Sequence, residues 1–193
     1  MEKPIVFFIG KPGSGKGTQA GMLSKATGWP VVGTSGGLRE IVATGTAAGV
    51  KLKETMDAGL LTPYWVASYV YLKTIFSLSD GNNVIFDGTS RTVPETEIVV
   101  DSLKWLNRPF YIFHLTVPDE EVHNRINLRK EKEARADDHV VHKRLEAYYA
   151  DTEGAINLLR EEGMLTDIDG HRPIEVIAAE VRDILKISSS TGR

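Results

Sequence analysis

The segment that most constrains the fold is residues 5–19, which read IVFFIGKPGSGKGTQ. Its apolar first part has the length and composition of a buried strand, and residues 18–23 indicate the start of a helix. Between them lies the spacing Gly-x-x-x-x-Gly-Lys of a phosphate-binding P-loop. Gly17 stands where Ser or Thr normally follows the lysine, and Thr18 comes one position later. The segment therefore predicts a strand, an anion-binding loop and a helix in direct succession.

A loop of this composition binds phosphate for a physical reason. Glycines let the backbone curl so that successive N–H groups point at an anion, and the helix N-terminus adds its positive dipole end. Lys16 supplies a mobile charge for β- and γ-phosphates. The alternative is a glycine-rich turn that merely joins a strand to a helix; four glycines, one lysine and the flanking elements argue against it. The predicted donor-phosphate residues are Gly13, Ser14, Gly15, Lys16, Gly17 and Thr18.

Composition limits the class of protein. The 193 residues suit a single domain over residues 1–193, and a net charge of −3 argues against a general nucleic-acid binder. Without cysteine the chain has no disulfide and no thiolate zinc site. No signal-peptide pattern and no apolar run of membrane-spanning length is present. We expect a cytoplasmic monomer that binds small molecules and neither nucleic acid nor membrane, with a flexible tail over residues 188–193.

Strand-like runs alternate with helix-like segments along the rest of the chain. They predict strands at residues 31–32, 83–86, 110–115 and 164–168. Such alternation predicts an α/β fold, a parallel sheet with helices on both faces. In these sheets the ligand crevice lies beyond the carboxyl ends of the strands. Gly10, Asp87 and Thr116 follow strand ends, so we expect them to meet there.

Two further patterns predict local structure between the second and third strands. Residues 33–37, Gly-Thr-Ser-Gly-Gly, indicate a second glycine-rich turn. After Pro63, the residues Trp65, Tyr69, Leu72 and Phe76 lie at helical spacing, and we expect this aromatic stripe to pack into the core.

Phosphoryl transfer requires positioning and charge neutralisation more than acid–base chemistry. Preorganised cations in a water-poor site meet that need, and arginine binds phosphate oxygens through a planar fork that stays charged. The chain has several arginines that could meet this need. Any one of them alone would be read as a solvated surface residue, because arginines are mostly exposed.

The run Gly-x-Pro-Gly-x-Gly-Lys-Gly-Thr-Gln resembles the adenylate kinases and their nucleoside-monophosphate-kinase relatives. Residues 87–92, Asp-Gly-Thr-Ser-Arg-Thr, are similar to that family's Asp-Gly-Phe-Pro-Arg-Thr, and residues 135–138 match its Arg-x-Asp-Asp. The resemblance covers about residues 5–185. It implies a P-loop three-layer α/β/α fold around a central five-stranded parallel sheet. It also implies a small helical acceptor-binding insert at residues 33–62 and a short lid at residues 129–137.

The resemblance selects six candidate arginines, because each stands where the family pattern has one, and it implies a role for each. These are Arg39, Arg91, Arg125, Arg129, Arg135 and Arg144. Arg39 and Arg91, with Thr34 and Gly88, would bind the acceptor nucleotide, and Arg125 would stack on the donor adenine. Arg129 would reach the phosphates, while Arg135 and Arg144 would neutralise the transferred group. Asp87 ends a buried strand beside the P-loop, so it is the best candidate to hold Mg²⁺, through water. The alternative for Asp87 is a turn or helix-cap aspartate.

Departures from the family pattern lie on the acceptor side. Gly36 replaces Asp, Thr89-Ser90 replace Phe-Pro, and Glu95 replaces the Gln that reads adenine. An ionised Glu only accepts hydrogen bonds, which suits guanine or the amino group of cytosine. Arg144 also comes two residues sooner after Asp-Asp than in many relatives.

The sequence therefore predicts a Mg-ATP-dependent nucleoside monophosphate kinase, with adenylate kinase activity, ATP + AMP to two ADP, as the first hypothesis. One alternative is the same reaction with GMP, CMP, UMP or dTMP as the acceptor. Another is a non-catalytic ATP-binding regulatory protein with an altered acceptor site. The complete arginine set argues against the regulatory protein, because a sensor would not need all of them.

Overall fold

The computed structural model describes residues 4–79, 82–132 and 141–187, without the side chains of residues 129–132 and 141. Its strands are β1 (Ile5–Gly10), β2 (Val31–Gly33), β3 (Val84–Asp87), β4 (Phe110–Thr116) and β5 (Leu165–Asp169). They form one sheet in the order β2-β3-β1-β4-β5, and every neighbouring pair is parallel. The predicted five-stranded parallel sheet is confirmed for the described residues.

Helices connect the strands. They are α1 (Lys16–Thr27), α2 (Thr34–Ala43), α3 (Ala47–Asp57), α4 (Tyr64–Ser77), α5 (Val93–Leu106), α6 (Asp119–Lys132), α7 (Val141–Ala147), α8 (Glu153–Glu161) and α9 (Ile174–Ile184). A π-helical turn, Tyr148–Thr152, joins α7 to α8. None of these helices combines the length and the apolar composition that a membrane crossing needs.

The two faces of the sheet carry separate cores, as alternation along β1 shows. Ile5 and Phe7 pack in the core that α4, α5 and α8 complete, whereas Val6 and Phe8 pack in the core that α1 and α9 complete. Successive strand residues point to opposite faces, so the uninterrupted apolar run of β1 is explained by helices on both sides. The three-layer α/β/α arrangement is therefore confirmed.

The register of the central strands places the candidate site residues at one edge of the sheet. Phe8 of β1 lies opposite Asp87 of β3, and Gly10 lies opposite Leu115 of β4. Gly10 has φ +136°, and a Cβ placed on it would lie 2.6 Å from the Leu115 carbonyl oxygen. Only glycine permits both the backbone conformation and this close approach. The P-loop therefore starts directly over the carboxyl ends of the central strands.

The predicted glycine-rich turn at residues 33–37 is wrong, because helix α2 already begins at Thr34. A Cβ on Gly37 would lie 2.4 Å from Cγ1 of Val70 in α4. This glycine therefore serves a close contact between helices rather than a turn. Leu38, Leu52 and Val70 form a small separate core that joins α2, α3 and α4.

The predicted burial of the stripe on α4 is wrong for its three aromatic residues, although Leu72 is partly buried against the core. Trp65, Tyr69 and Phe76 are 63%, 56% and 73% exposed. The helix packs instead through its other faces, where Tyr71 and Ile75 are buried. Because α4 is apolar nearly all round, the spacing of its aromatic residues does not identify the face that packs.

Candidate active site

The P-loop of residues 10–16 holds its lysine against its own backbone. Gly13 and Gly15 have φ +76° and +100°, a left-handed conformation that glycine adopts without strain. Lys16 Nζ donates to the carbonyl oxygens of Gly10 at 2.9 Å and of Lys11 at 2.7 Å. The loop therefore keeps the ammonium group at its centre.

Burial lowers the pKa of Lys16 to about 7. The carboxylate of Asp87 opposes this effect, while the positive charges of Arg91 and Arg144 reinforce it. Asp87, Arg91 and Arg144 are therefore each close enough to act on Lys16. Arg39, from α2, lines the same cleft.

Gly17 is explained by its contact with Asp87. A Cβ on Gly17 would lie 3.1 Å from Asp87 Oδ2, which is tighter than an ordinary contact. A serine or threonine here would press on the carboxylate, so glycine leaves Asp87 free to face the cleft, which it lines. The departure from the usual P-loop pattern is thus coupled to the strand-end aspartate.

The cleft over this edge has a volume of about 1400 Å³. Every predicted site residue whose side chain the structure describes lines it. These residues are Gly13, Ser14, Gly15, Lys16, Gly17, Thr18, Thr34, Arg39, Asp87, Gly88, Arg91, Glu95, Arg125 and Arg144. Arg129 lies in α6 but its side chain is outside the description, and Arg135 is outside the described residues. The role of each residue stays a prediction.

Arg125 is fixed by backbone carbonyls and by an acid on its own helix. Its guanidinium donates to Gly170 O at 2.9 Å and Ser14 O at 3.4 Å, and its Nε donates to Glu121 Oε1 at 2.5 Å. This arrangement ties α6 to the P-loop and to the segment after β5. The planar group is held at the wall of the cleft beside the P-loop.

Glu95 has different partners from those the sequence suggested. Its side chain is 2% exposed, and its oxygens accept the backbone N–H groups of Ser90 at 2.8 Å and Arg91 at 3.1 Å. Burial raises the pKa of Glu95, and the N–H donors and the Arg91 charge act against that rise. The backbone N–H groups thus give Glu95 partners within the protein, besides the guanine or cytosine that the sequence suggested. Its contact with an acceptor base stays a prediction.

Comparison with known proteins agrees with this geometry. The sequence model of the family described as "Adenylate kinase" matches residues 8–164, which include the P-loop, the strand-end aspartate and all six candidate arginines. The chain belongs to the adenylate kinase family. It is therefore an enzyme of the nucleoside monophosphate kinase type.

Individual members of the adenylate kinase family align over most of their length. The adenylate kinase of Archaeoglobus fulgidus is 33% identical, over 94% of this chain and 97% of the relative. That of Leptospira biflexa is 35% identical, over 89% and 94%. That of Thermus thermophilus is 34% identical, over 94% and 97%. The similarity is thus not confined to the phosphate-binding motif.

Sequence reasoning missed further residues of the adenylate kinase cleft, among them Tyr148, Gly170 and Arg172. Tyr148 lies in the π-helical turn, and its hydroxyl is 3.1 Å from Nε2 of His114, whose Nδ1 is 2.6 Å from Asp167 Oδ1. The one available signal for this group was a histidine inside the mostly apolar strand β4, and no sequence pattern indicates the π-helical turn.

Proposed function

We propose that the chain transfers the γ-phosphoryl group of Mg-ATP to AMP and so forms two molecules of ADP. One observation carries the proposal: Lys16, Arg39, Arg91 and Arg144 line a single cleft at one edge of the sheet. Its volume of about 1400 Å³ exceeds the roughly 300–1,000 Å³ usual for one small ligand. Family membership and this space together support a site for two nucleotides.

On the donor side, the P-loop N–H groups and Lys16 bind the β- and γ-phosphates. The lysine leaves the carbonyls of Gly10 and Lys11 and turns to the phosphate oxygens. Arg125, held at the cleft wall by Ser14 O and Gly170 O, stacks on the adenine. These contacts fix the γ-phosphorus with its open side towards the acceptor.

On the acceptor side, Arg39 and Arg91 bind the phosphate of the monophosphate, and Thr34 and Gly88 border the nucleotide. Arg129, Arg135 and Arg144 neutralise the charge that spreads over the transferred oxygens. The acceptor oxygen attacks in line with the departing ADP, so no side chain has to form a covalent intermediate. The side chains orient the two nucleotides and neutralise their charge.

The residues present fit a magnesium ion. Asp87 lies at a strand end, near Lys16, with no side chain at Gly17 to block it. Among the described residues no group of three or more His, Cys, Asp or Glu could hold a metal alone. Mg²⁺ keeps several waters and binds through one or two carboxylates and the substrate phosphates, so one aspartate is sufficient. When bound, the ion neutralises phosphate charge.

Replacing Asp87 with alanine is expected to raise the Mg²⁺ concentration for half-maximal activity by about tenfold or more, as loss of an outer-shell partner does. The measurement is a magnesium titration of initial rates at saturating nucleotides. Asp101→Ala, on the exposed part of α5, is the matched control. Unchanged magnesium dependence in Asp87→Ala would mean that Asp87 does not hold the ion and is only a structural residue of the turn after β3.

ATP binding is expected to take up a proton at pH 8. Because burial lowers the pKa of Lys16 to about 7, the free protein holds this lysine mostly uncharged at that pH. Bound phosphates favour the charged form and raise the pKa again, so ATP affinity should fall as the pH rises from 7 to 9. Calorimetry in two buffers of different ionisation enthalpy measures the uptake. Identical binding enthalpies in both buffers would contradict it.

The proposal also assigns roles to two segments that border the site, the acceptor insert and the lid. Residues 33–62 form the insert that binds the acceptor, and residues 129–137 are the short lid over the donor site, whose closing would exclude water and limit hydrolysis. Residues 133–137 and the tail 188–193 lie outside the described residues. The chain works as a cytoplasmic monomer and does not require nucleic acid.

A panel of monophosphates tests the function. With Mg-ATP, a coupled assay should detect diphosphate formation fastest with AMP, and more slowly with GMP, CMP, UMP or dTMP. Faster turnover with another monophosphate would reassign the acceptor. Tight ATP binding without turnover of any monophosphate would support a regulatory protein instead.

A further inference from the structure

The backbone that carries Arg91 has an unusual conformation. In residues 88–91, Gly88 has φ +84° and Ser90 has φ +62°. The left-handed region is uncommon for a residue other than glycine, so other contacts must hold Ser90 there. We call residues 88–91 the arginine turn.

Two side-chain contacts hold the arginine turn. Glu95, in the first turn of α5, accepts the N–H groups of both Ser90 and Arg91 through its two carboxylate oxygens. Thr89 Oγ1 lies 3.2 Å from Thr34 Oγ1 at the start of α2. Hydrogen bonds from backbone N–H to a carboxylate are among the stronger ones in proteins. Glu95 is therefore the principal anchor of the turn.

The anchored turn sets the direction of the Arg91 side chain. Its Nε donates to the carbonyl oxygen of Gly88 at 2.7 Å, which closes a ring inside the turn. A Cβ on Gly88 would lie 2.7 Å from Arg91 Nη2, so glycine leaves room for the guanidinium. If the N–H groups of Ser90 and Arg91 lost their acceptor, the backbone could relax out of the left-handed region and carry the guanidinium with it.

We propose that Glu95 is a positioning residue that holds the arginine turn and directs Arg91 at the acceptor phosphate, rather than a residue that reads the acceptor base. This inference rests on the proposed function, because the acceptor phosphate is the target of Arg91. It predicts one distinctive result: loss of Glu95 lowers kcat/KM by the same factor for every monophosphate, because all of them share the phosphate group. A residue that reads the base would change their order instead.

Glu95→Gln is the sharpest variant. Glutamine keeps the volume but has one oxygen, so its NH₂ group would face one of the two backbone N–H donors. We expect kcat/KM to fall about tenfold for each monophosphate that the wild type uses, as for loss of a buried charged hydrogen bond, with the KM for ATP within about twofold. Glu97→Gln, exposed on the same helix, is the matched control. Initial rates with AMP, GMP, CMP and UMP give the comparison.

A second pair of variants tests the backbone rather than the carboxylate. Glycine in Ser90→Gly keeps the N–H group and accepts a positive φ, whereas proline in Ser90→Pro removes the N–H group and fixes a negative φ. Ser90→Pro should therefore fall at least tenfold below Ser90→Gly in kcat/KM for AMP. Melting temperatures identify any variant that does not fold. If either Ser90 variant fails to fold, the kinetics of Glu95→Gln test the proposal by themselves.

Hydrogen exchange separates failure of this proposal from failure of the proposed function. The amides of Ser90 and Arg91 should be protected in the wild type and exchange at least tenfold faster in Glu95→Gln, whether or not AMP is a substrate. Three results for Glu95→Gln would overturn the proposal. They are a changed order of preference among the monophosphates, a rise in the KM for ATP as large as the fall in kcat/KM for the monophosphates, and unchanged amide exchange. A wild type inactive on all monophosphates would overturn the function instead, and the exchange result would still judge Glu95.

Discussion

Replacing Lys16 with methionine is expected to lower kcat by about 10²- to 10³-fold, as loss of one preorganised charge contact to a reacting oxygen does. Methionine has a similar length and no charge, so the P-loop keeps its packing but loses the cation at its centre. The measurement is kcat at saturating Mg-ATP and AMP in a coupled assay.

The fold should survive this change. Lys16 Nζ donates only to the two loop carbonyls of Gly10 and Lys11 among the described hydrogen bonds. Burial lowers its pKa to about 7, so a charged lysine is unfavourable at this position. An apolar side chain removes that desolvation cost and offsets the lost bonds. Lys25→Met, exposed in the last turn of α1, is the control; a Lys16→Met enzyme within tenfold of wild type would remove the lysine from the mechanism.

The second large effect is expected for Arg91→Ala, which should lower kcat by about 10³-fold, at the upper end of the range for loss of one preorganised contact to a reacting group, here the acceptor phosphate. Arg91 extends from the turn after β3 and lines the cleft beside Lys16. Alanine removes both the charge and the planar fork. Arg91→Lys keeps the charge alone, so its kcat should lie between those of Arg91→Ala and wild type.

Arg91→Ala should also change the pKa of Lys16. The Arg91 charge contributes to the lowered pKa of Lys16, so Arg91→Ala should raise that pKa. The proton uptake on ATP binding at pH 8 should then become smaller in the variant. Arg182→Ala, on α9 and outside the cleft lining, should show neither effect. Retention of a tenth of wild-type kcat in Arg91→Ala would contradict the assigned role.

The parallel sheet could be predicted from the sequence because β1, β3 and β4 are largely apolar runs and strand-like segments alternate with helix-like ones. Once the strands are parallel, their carboxyl ends share an edge, and Lys16, Asp87 and Arg91 have to meet there. Local pattern and topology therefore predicted the P-loop and the edge of the sheet where the site lies, whereas the choice of the six arginines came from the resemblance to the adenylate kinases.

Features that depend on packing between distant segments could not be predicted. Gly37 resembles a turn residue in sequence, but its use is the contact with Val70 more than thirty residues away. The stripe of Trp65, Tyr69 and Phe76 has helical spacing, but so do the residues that α4 buries. In both cases the local pattern fits two structures, and the tertiary contacts choose between them.

Glu95 shows the same limit at the site itself. Its position in the sequence suggested a contact with the acceptor base, because the resemblance places a base-reading residue there. The left-handed Ser90 turns two backbone N–H groups towards it, and no sequence pattern indicates a positive φ at a serine. The hydrogen-bond partners of this polar residue thus depend on a backbone conformation five residues earlier.

The most direct test of the central claim, that one cluster of cations joins two nucleotides for phosphoryl transfer, follows a label. The wild-type protein is supplied with Mg²⁺, AMP and ATP labelled in the γ-phosphoryl group, and the products are separated at early times. The account predicts label in the β-phosphoryl group of ADP, at a rate far above its release as inorganic phosphate. Label that stays in ATP, or that appears first as inorganic phosphate, would contradict it.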